Sequence, residues 1–117
     1  MDKISVDEIL VTSLSRIKVP GGDIMHAIKK GDLGFIDFGE AYFSIIDGGA
    51  VKAWKRHSQM TLNIIVPLGC IYFAFFDNNG KKREEIVGQN RYVRLTVPPG
   101  IWFGFKGLNR SKNMLLN

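Results

Sequence analysis

A single cysteine, Cys70, is all the chain offers for disulfide chemistry, so no internal disulfide can brace the fold. It sits inside an apolar run, where a buried, inert thiol in a reducing cytoplasm is expected. Long apolar runs are scarce as well. None approaches the roughly 20 residues that a membrane-spanning helix requires. The opening Met1-Asp2-Lys3-Ile4-Ser5 has neither the apolar stretch nor the small-residue cleavage site of a secretory leader. A cytoplasmic location is therefore expected. Repeats, low-complexity tracts and linkers are also missing. That leaves one domain for 117 residues, expected to occupy 1–117, with 1–19 as an N-terminal arm or edge strand.

Neither charge sign forms a block. The chain carries 16 Lys and Arg against 11 Asp and Glu, a net charge of +5, and its pI is about 9.5. The basic residues are spread over 29–30, 52–56, 81–83, 91–94, 106 and 110–112. Such a balance suggests an anionic partner. Nucleic acid is the generic reading, and a phosphorylated small molecule fits equally well. A nucleic-acid barrel would need exposed aromatics flanked by Lys and Arg on one sheet face. Here the aromatics fall in apolar runs such as Ile71–Phe76, so nucleic acid is not the expected partner, and with no apolar run long enough to span one, neither is a membrane.

What the chain does have is turn punctuation at short intervals. Pro20-Gly21-Gly22-Asp23, Lys30-Gly31-Asp32, Asp47-Gly48-Gly49, Pro67-Leu68-Gly69, Asp77-Asn78-Asn79-Gly80 and Pro98-Pro99-Gly100 separate segments rich in β-branched and aromatic residues. This spacing predicts an all-β sandwich or barrel. The clearest strands are 42–46, 51–57, 62–66, 71–76 and 92–97, with 24–29 a further strand and 9–17 a weaker one. Asp77–Gly80 reads as a hairpin turn. Ser5-Val6-Asp7-Glu8 has capping-box spacing before Ile9, and a β arm is an equal alternative there. Strict alternation would place Ala53, Lys55 and His57 on one strand face and Lys52, Trp54 and Arg56 on the other. If the first face points into a barrel, Lys55 and His57 project together into its interior. A buried Lys is rare unless paired or functional.

The run from Gly49 to His57 resembles the first cupin motif, which is Gly, five residues, His, one residue, His, four residues, Glu, six residues, Gly. Laid on this chain it falls on Gly49, Lys55, His57, Leu62 and Gly69. The second motif, Pro followed five positions later by His, falls on Pro98 and Phe103. Of the four ligand positions only His57 carries a good donor, and a transition metal wants three or four. No metal or other cofactor is expected.

Over roughly 20–117 the chain resembles the dTDP-4-dehydrorhamnose 3,5-epimerase family and its shorter relatives among the cupins. The resemblance rests on Gly22–His26, Val51–His57, Met60–Asn63 with Val66–Gly69, and Leu95–Trp102. It implies a cupin-type jelly-roll β-barrel, usually dimeric, acting without metal on a dTDP-linked 4-keto sugar. In such an enzyme a base removes the proton α to the ketone, a cation stabilises the enolate, and an acid reprotonates the opposite face. The epimerases read Arg-Gly-Leu-His where this chain has Lys52-Ala53-Trp54-Lys55, which puts the family's base on Lys55. The related ketoisomerases carry His-x-His, which pairs His57 with their second histidine. Phe103 stands where His is usual, and the family's late carboxylate has no counterpart before Asn117.

His57 is accordingly the expected general base, and Lys55 the enolate stabiliser or an alternative base. Lys52, Arg56, His26 and Trp102 are candidate substrate contacts: the cations for a diphosphate, His26 at the pocket mouth, Trp102 for stacking. Tyr42, Tyr72 and Tyr92 are the phenolic candidates for the acid, and spacing selects none of them. The expected partner is a nucleotide sugar, and the expected assembly a homodimer. The alternative is a non-catalytic cupin module that binds a nucleotide sugar or other anionic small molecule.

Overall fold

The computed structural model describes residues 4–117. Ser5 opens it as the sequence anticipates. Its hydroxyl accepts from Asp7 N, and its own N–H donates to the Glu8 carboxylate. This capping box closes a single 3₁₀ turn, η1 (Val6–Glu8), and the chain then becomes extended. Eleven strands follow: β1 (Leu10–Ser13), β2 (Arg16–Val19), β3 (Gly22–Met25), β4 (Phe43–Asp47), β5 (Val51–Arg56), β6 (Leu62–Leu68), β7 (Cys70–Phe76), β8 (Lys82–Gly88), β9 (Val93–Val97), β10 (Trp102–Gly107) and β11 (Lys112–Leu116).

Two antiparallel sheets face each other. One has the order β1-β9-β6-β11-β4 and the other β5-β10-β7-β8, while β2 and β3 form a separate hairpin. This is the cupin jelly roll. Residues alternate in and out along each strand. The inward set of Leu62, Ile64 and Val66 on β6, Val93, Leu95 and Val97 on β9, and Phe73 and Phe75 on β7 fills the space between the sheets. The outward face of the five-stranded sheet is covered on β9 and the start of β6 by the segment leading to β4. There Arg94, 1% exposed, donates to the carbonyls of Ala27 and Leu33.

β8, β10 and β11 lie outside the ranges given above. β8 was hidden because two of its inward positions are Arg83 and Glu85, which leaves Val87 as its apolar core residue. Arg83 and Glu85 pair with each other, and Arg83 also donates to the carbonyls of Val6 and Ile9, all at 2.9 Å. β10 is broken by two glycines, Gly104 and Gly107. The expected strand over 9–17 resolves into β1 and β2, with β1 an edge strand on β9. The strand expected over 24–29 is shorter, ending at Met25. The Asp77 turn does form, its carboxylate accepting from Asn79 N and Lys81 N. Its other oxygen accepts from Val6 N, which fastens η1 over the β1/β8 side of the barrel end.

Candidate functional site

The opposite half of that barrel end carries the sequence candidates. β5 is the edge strand of its sheet and pairs only with β10, Lys55 opposite Phe103 and Arg56 opposite Trp102. Directly opposed residues share a sheet face. Phe103 is 5% exposed and belongs to the core, so Lys55 lies on the inner face. The ring of His57 stacks on Phe103, with centroids 6.2 Å apart and planes 28° apart. The His57 carbonyl accepts from Gly100 N at 2.8 Å, which ties the end of β5 to the Pro-Pro-Gly corner. Lys55 and His57 are thus brought to one side of one strand end. Lys55 is exposed and His57 half-buried, because an edge strand has no neighbour to enclose them. The expectation of a buried lysine is corrected on that point.

A bulge overturns the expected alternation further back. Between Phe103 and Phe105 of β10, β5 advances from Lys55 to Lys52, one residue more than its partner. Lys52 therefore opposes Phe105, a ring packed on the core, and lies on the inner side with Lys55. It leaves the face on which alternation had placed it with Trp54 and Arg56. Gly104 makes room for the bulge. A Cβ there would stand 2.8 Å from Ala53 Cβ and 3.2 Å from the Trp54 ring. Ala53 is displaced from the Lys55 face by the same step.

The other candidates lie elsewhere. Arg56 and Trp102 are on the outer face, the guanidinium 5.9 Å from the indole centroid, and so point away from Lys55 and His57. His26 is exposed beyond β3. Its N–H donates to Ser15 O, and its carbonyl accepts from the Tyr92 hydroxyl at 2.7 Å. Together with Thr12, Lys29, Asp32 and Arg94 it lines a cleft of about 260 Å³ on the outside of the five-stranded sheet. Tyr72 is on the outer face, where the Glu84 carboxylate accepts from its hydroxyl. That bond, with burial second, raises the phenol above its ordinary pKa. Burial raises Tyr92 too. The Tyr42 hydroxyl accepts from Asn117 Nδ2.

A larger cavity of about 350 Å³ adjoins the same barrel end. Its lining includes Phe35, Asp37, Glu40, Tyr42, Gln59 and Asn63. Its charged groups are carboxylates, so it is not the cationic pocket that the sequence suggested. Neither Lys52 nor Lys55 lines it. No reading of spacing pointed to Asp37 or Glu40, since they sit in a segment without regular structure. Among the described residues, no group of three or more His, Cys, Asp or Glu side chains is placed to hold a metal ion. No helix among them is long and apolar enough to cross a membrane.

The crystal structure of a dTDP sugar isomerase from Desulfovibrio desulfuricans G20 is 32% identical and superposes with a TM-score of 0.91, covering 96% of this chain and 76% of that one. The chain belongs to the dTDP-sugar isomerase and 3,5-epimerase family of cupins. The likeness also reaches more distant structures. The dTDP-6-deoxy-D-glucose 3,5-epimerase of Legionella pneumophila Philadelphia 1, solved with dTDP-4-keto-L-rhamnose, is 17% identical with a TM-score of 0.79, over 98% of this chain and 69% of that one. At that identity the likeness is one of fold. A probable low-salt glycan biosynthesis epimerase of Haloferax volcanii is 26% identical over 89 residues, 70% of this chain. The chain spans only 57% of that protein's length. No family model matches the chain.

Proposed function

We propose that the protein is a sugar-nucleotide epimerase or isomerase acting, without a metal, on a dTDP-4-keto-6-deoxy sugar by α-proton abstraction. The observation that carries this reading is the placement of His57 and Lys55 together on the inner side of the β5 end, in a family of dTDP-sugar isomerases. His57 is the base. Its ring is oriented by Phe103, and imidazole is the side chain most often used for proton transfer in catalysis. Lys55 is the cation that meets the negative charge developing on the ketone oxygen. Lys52, brought to the same side by the bulge, holds the diphosphate. The Legionella relative's bound dTDP-4-keto-L-rhamnose is the model for the ligand class.

A cytoplasmic homodimer is part of the proposal. Phe43 and Ile45 on the edge strand β4 are 65% and 53% exposed, Leu68 is 50% exposed, and Ile36 and Phe38 beside them are each 72% exposed. Apolar side chains in that number on one side of a barrel call for cover by a second copy.

The experiment is proton–deuterium exchange at the carbons flanking the ketone of a dTDP-4-keto-6-deoxyhexose. Wild-type protein exchanges the proton. His57→Gln keeps hydrogen-bonding capacity, loses the titratable base and lowers exchange by about 10²–10⁴-fold, with nucleotide affinity nearly intact. Lys55→Met keeps the stem and raises the barrier by a few kcal/mol. Binding of the dTDP-sugar by wild type with no exchange would refute catalysis and leave the non-catalytic binding module.

A further inference from the structure

The outer face of the four-stranded sheet carries a pattern that the proposed reaction does not use. Pairing sets Arg56 opposite Trp102, Trp102 opposite Phe76, and Phe76 opposite Lys82. One rung thus reads cation, aromatic, aromatic, cation across β5-β10-β7-β8, about 14 Å at the usual strand spacing. A parallel rung reads Val51, Lys106, Tyr72, Ile86. Between the rungs lie Gly104 and Ala74, and the Trp54 ring reaches in from the bulge to meet Phe76 edge-on at 5.3 Å. Val51, Trp54, Ile86 and Trp102 are 64%, 50%, 51% and 40% exposed.

We propose that this face docks the protein on an anionic membrane surface, with Trp54, Trp102, Val51 and Ile86 entering the headgroup region and Arg56, Lys82 and Lys106 meeting lipid phosphates. Three observations select that occupant. The apolar members are aliphatic as well as aromatic and lie on a sheet face, the form an interface offers to lipid, with indoles at headgroup level. The cations sit among and beside the apolar groups, and the one carboxylate on the rungs' face, Glu84, is held by the Tyr72 hydroxyl and Lys82. A nucleic acid would need free ring faces to stack bases. Here Arg56 lies over Trp102 and Lys82 over Phe76, each 5.9 Å from the ring centroid. A second copy docked here on a two-fold axis would set these cations against themselves. A surface dock needs no apolar span, so the absence of one in the sequence does not oppose it.

The test is direct because the chain's 2 tryptophans are both on this face. The protein is titrated with neutral phosphatidylcholine vesicles and with vesicles containing a third phosphatidylserine, and followed by tryptophan emission and co-sedimentation. Binding to the anionic vesicles with a blue-shifted emission is expected, weakened as salt rises. Each basic residue near such a surface is worth about fivefold in partitioning, so Lys82→Ser with Lys106→Ser should weaken it about 30-fold. Val51→Ser with Ile86→Ser, at exposed positions that threaten the fold least, should remove most of the remainder and the blue shift. Circular dichroism melts check that both variants are folded. Three results would overturn the proposal. One is no binding to anionic vesicles at low salt. Another is binding unchanged by either pair of substitutions. The third is tight binding of a single-stranded oligonucleotide or an acidic protein with no vesicle binding.

Discussion

Replacing Asn113 by alanine tests the hydrogen-bonded corner from which β5 starts. Asn113 is 0% exposed on β11. Its Oδ1 accepts from Cys70 N at 2.9 Å and Asn109 N at 3.1 Å, and its Nδ2 donates to the carbonyls of Ile46 and Asn109, both at 3.2 Å. Two N–H groups on one side and two carbonyls on the other fix the amide's orientation. Glycine packs tightly around it. A Cβ at Gly69 would meet Oδ1 at 2.4 Å, and one at Gly107 would meet Nδ2 at 2.7 Å. Gly107 in turn bonds to Gly49 and Ala50, where the chain turns from β4 into β5. Alanine strands these four groups, each at a cost of about 1–3 kcal/mol where water cannot reach it. With water reaching roughly half of them, the loss is about 3 kcal/mol. At a urea m-value of about 1.5 kcal/mol/M this lowers the unfolding midpoint by about 2 M with m unchanged. Asn113→Asp sharpens the test. It keeps the acceptor but turns a carboxylate oxygen toward two carbonyls, so at pH 7 it should destabilise at least as much as alanine. It should recover part of that loss in acid, where the protonated form can donate. A loss below about 0.5 kcal/mol for alanine, or an aspartate variant as stable as wild type at pH 7, would refute the network.

Gly104→Ala should cost about 1–3 kcal/mol by overpacking, because the new methyl group falls 2.8 Å from Ala53 Cβ. It should also shift Trp54 emission, and an unchanged thermal melt and spectrum would contradict the bulge. Asp77 should make stability fall in acid. Burial opposes its charge, but the N–H groups of Val6, Lys81 and Asn79 outweigh that and lower its pKa from 3.8. With the folded value depressed, its contribution is complete above the unfolded pKa and vanishes as pH falls through the folded one. The gap in melting temperature between wild type and Asp77→Asn should therefore narrow from pH 5 toward pH 2, and a constant gap would exclude the linkage. Dialysis against a chelator should leave the melting temperature unchanged, since of the four cupin ligand positions only His57 is a good donor; a drop of several degrees would show a structural metal.

The fold was legible where alternation coincides with burial. Phe73 and Phe75 on β7 and Leu95 and Val97 on β9 face the core at every second position, and the turns between strands carry Gly, Pro, Asn and Asp. β8 was illegible because its inward Arg83 and Glu85 satisfy each other, which no hydrophobic pattern can register. Arg94 is similar, a cation buried only because loop carbonyls 61 and 67 residues away in the chain come to meet it. At the site, the pairing of Lys55 with His57 was readable from their spacing, but their exposure was not. Exposure follows from β5 being the last strand of its sheet, a property of topology that local sequence does not encode.

The bulge decides what each side of β5 can do. Under plain alternation Lys52 would share the outer face with Trp54 and Arg56, leaving one lysine beside His57. One extra residue, accommodated because Gly104 has no side chain, returns Lys52 to the inner side while Trp54 stays outside against Phe76. Lys55 and His57 then stand at one end of the inner side with Lys52 further back along it, and an indole and a guanidinium stand on the opposite face. Under the two proposals, a single edge strand serves an anionic substrate on one side and an anionic surface on the other because its register breaks between them. The two proposals are therefore separable by mutation, since one rests on charge and proton transfer by the inner set and the other on ring burial by the outer set.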